Sequence, residues 1–265
     1  MTDRKQWRTG ASACFCGKFD ESVLEAYAKA NVSSTEISFR TPYYDEIEWT
    51  KIAGWSANTG TEVWSIHLPF HGLNIAHPDK EKADYTIEYH HNLLGRAGAA
   101  GIKVAVVHPS GEPIPDGKRP ELMERCAENL GKLCARAKEV GMVIAVEDLP
   151  RTCLCNCSSE VLYMLERNPD LRVCFDTNHL LKEANEDFVR AIGNKIITLH
   201  VSDYDFIDEK HVFPGDGLID WKVLQGELEK VDYNGPFMYE LNPKDKDGRR
   251  TLEDLKANHM HIMNL

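Results

Sequence analysis

A short apolar run followed by an amphipathic stretch recurs along nearly the whole chain, and this repeat is the strongest constraint on the fold. The apolar runs have the length of strands, and the stretches between them have the length of helices. Several runs are apolar throughout, which is typical of parallel strands buried on both faces. Eight such strands alternating with eight helices in 265 residues predict an α/β fold, the (β/α)8 TIM barrel, as a single domain over residues 1–265.

The boundaries follow from the apolar runs and from helix-capping signals such as Asp20 and Gly60. The predicted strands are 9–15, 35–39, 62–66, 102–107, 142–146, 171–175, 196–199 and 237–239. The predicted helices are 20–31, 44–58, 79–100, 119–140, 159–167, 180–192, 221–231 and 252–262. Neither the G-x-G-x-x-G nor the G-x-x-x-x-G-K-[ST] nucleotide-binding motif occurs in the sequence. The barrel is therefore better supported than an open nucleotide-binding sheet.

Composition narrows the class of protein. A net charge of −11 argues against nucleic acid or an acidic membrane as partner, because phosphates are bound by a surplus of Lys and Arg. The N-terminus lacks the apolar core of a signal peptide, and no run reaches the roughly 20 residues of a membrane span. The eight cysteines are then expected to be reduced thiols. We expect a cytoplasmic protein; its oligomeric state stays open, with a homo-oligomer among the alternatives.

Polar side chains follow six consecutive predicted strands, at the point where each apolar run ends. They are His67, His108, Glu147, Asp176, His200 and Glu240. In a barrel, these strand ends meet around one axial point, which is where barrel enzymes have their active sites. Buried carboxylates cost several kcal/mol each unless a cation or hydrogen-bond donors compensate. The series therefore predicts a metal site.

The side chains also narrow the metal. Three carboxylates with one or more imidazoles form a mixed oxygen and nitrogen set that suits Mn²⁺, Co²⁺ or Mg²⁺. Zn²⁺ becomes an alternative as histidines accumulate. The donor set alone leaves the choice among these metals open.

Several motifs resemble the xylose-isomerase-like barrel superfamily, which holds sugar isomerases and epimerases, inosose dehydratases and endonuclease IV-type enzymes. The resemblance covers nearly the whole chain. The motifs are 67–70 (His-Leu-Pro-Phe), 107–109 (Val-His-Pro), 146–148 (Val-Glu-Asp), 175–179 (Phe-Asp-Thr-Asn-His), 199–203 (Leu-His-Val-Ser-Asp) and 215–217 (Gly-Asp-Gly). Similarity to the ketose 3-epimerase branch implies one divalent ion, usually Mn²⁺, held by Glu147, Asp176, His200 and Glu240, with His179 contacting substrate. We therefore expect one divalent ion, with Mn²⁺ favoured over Zn²⁺, Co²⁺ and Mg²⁺.

Two positions depart from the epimerase pattern. That branch has a second glutamate and an arginine that bind sugar hydroxyls, where this chain has Cys153 and Phe206. The endonuclease IV-type branch instead uses three zinc ions and nine ligands. Candidates for all nine are present: His67, His108, Glu147, Asp176, His179, His200, Glu209, His211 and Glu240.

We therefore expect a metal-dependent sugar isomerase or epimerase that acts on a small polyhydroxy carbonyl compound through a metal-stabilised enediolate. Glu147 and Glu240 are expected to move the proton. The histidines expected to face substrate are His67, His108, His179 and His211. The alternatives are a sugar lyase or dehydratase, an endonuclease IV-like enzyme, and a sugar-binding barrel without catalysis.

Overall fold

The computed structural model describes residues 5–115, 117–242, 244–245 and 248–265. Eight parallel strands form one sheet that curves into a nearly closed barrel, so the predicted (β/α)8 fold is confirmed. The strands are β1 Thr9–Ser12, β2 Ser34–Ile37, β3 Glu62–His67, β4 Val104–Val107, β5 Val143–Glu147, β6 Arg172–Asp176, β7 Ile196–His200 and β8 Phe237–Tyr239. The assignment of residues 1–265 to one domain stays a prediction.

The helices follow the strands on the outside of the barrel. They are α1 Glu21–Lys29, α2 Ile52–Thr59, α3 Lys80–Ala99, α4 Arg119–Glu139, α5 Ser158–Arg167, α6 Asn185–Ile192, α7 Trp221–Lys230 and α8 Leu252–Met263. A short antiparallel pair, β9 Lys244–Asp245 and β10 Gly248–Arg249, precedes α8. Within the described residues, no helix is both long and apolar enough to cross a membrane.

Alternation along each strand decides which side chains point into the barrel. On β4, Ala105 and Val107 belong to the large core between strands and helices. Val104 and Val106 instead form a small separate cluster with residues of β5 and β6. That separate cluster marks the barrel interior, because side chains two residues apart share a face.

The same two-residue alternation shows which strand-end side chains point into the barrel. Ala145 on β5 and Cys174 on β6 belong to the interior cluster. Two residues further along their strands stand Glu147 and Asp176. The strand geometry thus aims both carboxylates at the barrel axis.

The barrel closes between its seventh and eighth strands. Neighbouring strands are otherwise joined by ladders, in the order β7-β6-β5-β4-β3-β2-β1-β8. Between β7 and β8 the described pairing is one parallel bridge, Val201 to Tyr239. Its hydrogen bonds run from Val201 N to Met238 O (2.8 Å) and from Glu240 N to Val201 O (3.1 Å). This closure lies directly beside His200 and Glu240.

Two predicted elements are wrong in their extent before the site is reached. The strand expected over residues 9–15 ends at Ser12 and turns into a 3₁₀ segment, Ala13–Phe15. The helix expected over 44–58 is broken into 3₁₀ segments and α2. The buried Tyr44 hydroxyl donates to His67 O and accepts from Phe39 N at 3.1 Å. These bonds hold Tyr44 against His67 at the end of β3 and Phe39 just after β2, so it lies in the 3₁₀ segment Thr41–Asp45 and not in an α-helix.

The helix predicted over residues 180–192 begins only at Asn185. Side chains hold the segment between β6 and α6 in a turn: Asp176 Oδ1 accepts from Asn178 N, and Asn185 Nδ2 donates to Thr177 O, both at 2.7 Å. His179 therefore lies in this turn, several residues before α6 begins.

Candidate metal centre and active site

All six strand-end side chains meet at the carboxyl end of the barrel. His67, Glu147, Asp176 and His200 are the last residues of their strands. His108 and Glu240 directly follow theirs: His108 comes after β4 and Glu240 after β8. The convergence expected from the sequence is present in the structure.

Four of these side chains form a compact set. One ligand atom from each of Glu147, Asp176, His200 and Glu240 lies within 4.8 Å of the others. His200 Nδ1 is 2.8 Å from Glu147 Oε1, 3.2 Å from Glu240 Oε2 and 3.9 Å from Asp176 Oδ2. This group is the same quartet that the resemblance to the ketose 3-epimerase branch implies as metal ligands, and its chemistry could hold a divalent cation.

Contacts with backbone carbonyls show which ring nitrogen carries a proton in two of the histidines of the site. Nδ1 of His67 bonds to Leu68 O (2.9 Å), and Nδ1 of His179 bonds to Asp148 O (2.8 Å). Carbonyl oxygens only accept, so each of these nitrogens carries a proton. In the neutral ring the other nitrogen, Nε2, then carries no proton and presents a lone pair. For His67 that nitrogen is 3.0 Å from Glu147 Oε2, so either a proton or a cation must separate the two.

Asp176 offers a second sign. Its Oδ2 is fully buried and has no hydrogen-bond partner, although Oδ1 accepts from Asn178 N. Burial raises the pKa of Asp176 to about 6. An unpartnered buried carboxylate oxygen that faces two histidines fits a cation site, because an unsatisfied buried acceptor otherwise costs about 1–3 kcal/mol.

The neighbouring groups ionise in opposite senses. Burial opposes the charge on Glu147, yet His200 and His108 outweigh it and hold the pKa of this carboxyl well below its ordinary value. Burial also opposes a charged His200, but the Cys174 sulfur and the carboxylates of Glu240, Glu36 and Glu147 raise its pKa well above the usual range. The site thus holds ionised carboxylates against a protonated imidazole. A bound cation could take the place of the imidazole's proton in balancing these carboxylates.

A cavity of about 330 Å³ opens above this group. Its walls include the four histidines that the sequence assigns to substrate, His67, His108, His179 and His211, together with Glu147 and Glu240. Asp176 and His200 lie behind the wall, fully buried. The volume falls within the range of small-molecule sites, about 300–1,000 Å³.

A second group of three, His179, Glu209 and His211, also brings ligand atoms within 4.8 Å of one another. Glu209 is shared, however, with Arg151 Nη2 at 3.2 Å. Arg151 binds two more acids, Glu112 through Nε at 3.1 Å and Asp208 through Nη1 at 2.6 Å. The outer edge of the cavity therefore carries an acidic rim, formed by Glu112, Asp208 and Glu209, whose carboxylates all pair with Arg151.

The two departures from the epimerase pattern occupy different places. Cys153 lines the cavity, and burial raises the pKa of its thiol to about 12, so it does not replace a carboxylate. Phe206 is 44% exposed and packs against Tyr204. Neither side chain supplies the charge that its position has in the epimerases.

Sequence reasoning missed Glu36, which is fully buried in β2 and bonded to His200. It also missed Asp148, whose Oδ1 accepts from Asp176 N at 2.8 Å. A carboxylate inside an apolar strand was the available signal for Glu36. For Asp148 the signal was weak, since an acid just after a strand is more often a loop hydrogen-bonder.

Comparison with known proteins places the chain in the barrel class that its fold and site define. The model of the xylose isomerase-like TIM barrel matches residues 24–258, and the chain belongs to this family. The resemblance inferred from the sequence motifs is thereby confirmed.

The individual relatives include an uncharacterised protein and a sugar epimerase. The chain is 26% identical over 208 residues to the uncharacterised protein MJ1311 of Methanocaldococcus jannaschii, covering 75% of this chain and 70% of that protein. It is 29% identical over 145 residues to fructoselysine 3-epimerase of Escherichia coli O157:H7, covering 50% and 52%. The crystal structure of a D-tagatose 3-epimerase-like protein superposes with a TM-score of 0.82 at 22% identity, covering 97% of this chain and 98% of that one. At that identity, the structural likeness concerns the fold.

Proposed function

We propose that this chain is a divalent-metal-dependent sugar isomerase or epimerase that acts on a small polyhydroxy carbonyl compound. The observation that carries the proposal is the quartet Glu147, Asp176, His200 and Glu240, of which Glu147 and Glu240 line the cavity and the other two lie buried behind its wall. The quartet's mixed oxygen and nitrogen donors suit Mn²⁺, Co²⁺, Mg²⁺ or Zn²⁺, and we propose Mn²⁺ because the motifs resemble the epimerase branch in which that ion is usual. A bound divalent ion would lower the pKa of the C–H between a substrate carbonyl and hydroxyl.

Glu147 and Glu240 are the proposed proton carriers. They come from β5 and β8, three strands apart around the barrel, and both line the cavity. One carboxylate removes the proton from the substrate carbon, and the other returns it after the enediolate has formed. Delivery of the proton to the opposite face of the same carbon would give epimerisation, whereas delivery to the neighbouring carbon would give isomerisation.

The cavity wall supports an uncharged substrate. His67, His108, His179 and His211 can donate to or accept from hydroxyl groups. Arg151, a cation in the wall, already binds Glu112, Asp208 and Glu209. A phosphate would meet the acidic rim in place of a free guanidinium, which disfavours both phosphorylated sugars and a nucleic-acid backbone.

Solvent-exchange and metal analysis test the proposal together. Purified protein loaded with Mn²⁺ would be incubated in D₂O with a panel of ketoses and inososes. We expect deuterium at the carbon next to the carbonyl and about one tightly bound ion per chain. Conversion without deuterium in any recovered sugar, or no conversion of any compound, would contradict the isomerase assignment.

The same protein, analysed for bound metal as purified and assayed also on an abasic DNA duplex, separates the alternatives. An unsaturated product with loss of water would favour a lyase or dehydratase. About three zinc ions per chain with cleavage of abasic DNA would favour the endonuclease, whose third ion the group His179, Glu209 and His211 would hold. Metal binding without conversion would leave a sugar-binding barrel.

A further inference from the structure

Glu36 is a buried carboxylate that the proposed chemistry does not use. It stands on β2 with none of its surface exposed. Its Oε2 accepts a hydrogen bond from Ser65 Oγ at 2.7 Å, and Ser65 is its register partner on β3. Its Oε1 lies 2.9 Å from Nε2 of His200. Burying such a group is costly unless its contacts compensate, so both contacts need an explanation.

The contact with His200 reaches across the barrel interior. β2 and β7 are three strands apart in the sheet order, with β1 and β8 between them. Glu36 thus meets the back edge of the imidazole, and Nδ1 on the front edge faces Glu147, Asp176 and Glu240. The two ring nitrogens of His200 are divided between one carboxylate behind and three in front.

We propose that Glu36 is a positioning residue, which fixes His200 in the Nε2–H tautomer with Nδ1 directed at the metal. The inference rests on the metal site proposed above. A carboxylate oxygen can only accept, so the nitrogen facing Glu36 carries the proton, and the lone pair of the neutral ring is left on Nδ1. A carboxylate behind a ligating histidine also makes the ring a stronger donor and holds its plane. Ser65 holds the carboxylate in turn.

The variants are Glu36→Gln, which keeps the shape but loses the charge, and Glu36→Leu, which removes both contacts. Thr35→Val is the matched control: Thr35 is the adjacent buried residue of β2, and its Oγ1 donates to Ala11 O at 2.8 Å, away from the site. The dissociation constant for Mn²⁺ would be measured by calorimetry well below each variant's thermal midpoint. We expect it to rise about 10–100-fold for Glu36→Leu, less for Glu36→Gln, and by less than about threefold for Thr35→Val.

A spectroscopic signature separates positioning from a merely structural role. In the Co²⁺-loaded parent protein, the Nε2–H of His200 should give a slowly exchanging, paramagnetically shifted proton resonance, because it is buried and bonded to Glu36. That resonance should broaden or vanish in Glu36→Leu and persist in Thr35→Val. If Glu36→Leu does not fold, Glu36→Gln carries the test, through a shifted resonance and a raised dissociation constant.

Folded Glu36 variants that bind Mn²⁺ as tightly as the parent and keep the resonance would overturn the proposal. So would a parent protein that binds neither Mn²⁺ nor Co²⁺. A parent that binds the ion but converts no sugar contradicts the proposed activity alone and leaves the role of Glu36 standing.

Discussion

At the scale of single residues, Glu147 joins two parts of the site through its two carboxylate oxygens. Oε1 faces His200 Nδ1 at 2.8 Å, inside the proposed metal quartet. Oε2 faces His67 Nε2 at 3.0 Å and His108 Nε2 at 3.3 Å, on the side of the cavity. Removing a residue of the quartet should therefore affect the site differently from removing one of these histidines.

Glu240→Gln should abolish turnover and weaken Mn²⁺ binding, because it removes a proposed ligand that is also a proton carrier. His67→Ala should instead leave the bound ion in place and mainly raise KM, since His67 contacts Glu147 only from the substrate side. Steady-state kinetics and Mn²⁺ titration of both variants would check this. Loss of the ion from His67→Ala would favour the trio of His67, Glu147 and His200 as the metal site instead.

Metal binding should strengthen as pH rises through about 6. Ligation needs an ionised Asp176, whose pKa is raised to about 6 by burial, and a neutral His200, whose pKa is raised well above the usual range. Below about pH 6 the carboxyl takes up a proton, and at higher pH the binding ion still has to displace a proton from the imidazole into the buffer. Calorimetry in two buffers of different ionisation enthalpy would measure the protons released. A dissociation constant that does not change between about pH 5.5 and 7.5 would contradict this prediction.

Strand-end residues such as Glu147 and Asp176 could be predicted because an apolar run shows where a strand stops, and the barrel decides where strand ends meet. Glu36 could not be found in the same way. Its importance depends on His200, 164 residues away, whose back edge it contacts across the barrel. Local pattern carries no information about a pairing at that separation.

At the scale of elements, Arg151 ties together three loops at the mouth of the barrel. It belongs to the loop after β5 and binds Glu112 in the loop after β4 and Glu209 in the loop after β7. These ion pairs are about one-third exposed, so their contribution to the free energy of unfolding is small. Their main effect is to hold Glu209 at the cavity wall.

Arg151→Gln should raise KM several-fold with a smaller change in kcat, because the loops that form the outer wall lose their common partner. Its thermal midpoint should change by only a few degrees. Arg172→Gln is the matched control, because Arg172 begins β6 at the opposite end of the barrel and bonds to Pro169 O and Leu171 O. An equal rise in KM for both variants would show that the effect is not specific to the rim.

Element type could be predicted from the alternation of apolar and amphipathic segments, but the start of α6 could not. Residues 180–184 have a sequence compatible with helix. Their backbone is held elsewhere, since Tyr204 OH donates to Leu180 O and Asn185 Nδ2 bonds to Thr177 O. Such side-chain bonds from a neighbouring loop override local helix preference.

At the scale of the whole molecule, the proposed metal ligands lie together at the carboxyl end of the barrel, on four different strands or strand ends. Saturating Mn²⁺ should therefore stabilise the fold, because it binds the folded site and not the unfolded chain. At a concentration of 100 times the dissociation constant, the gain is about 2.7 kcal/mol, which corresponds to a rise in thermal midpoint of roughly 5–8 °C relative to protein in EDTA. Scanning calorimetry would measure it, with Asp176→Asn as the control in which the rise should be lost.

The closure between β7 and β8 gives the proposed ion a mechanical role. His200 ends β7 and Glu240 directly follows β8, so they lie on opposite sides of this closure. The Val201–Tyr239 bridge joins the two strands with two backbone hydrogen bonds. An ion bound by both side chains would crosslink the two strands where the described backbone pairing consists of a single bridge. Amide hydrogen–deuterium exchange should report this directly: the amides of Val201 and Glu240 should open readily in the metal-free protein and become protected on metal loading. The ring would then be completed partly by peptide hydrogen bonds and partly by coordination, so a ligand lost on either side would loosen the barrel as well as the chemistry.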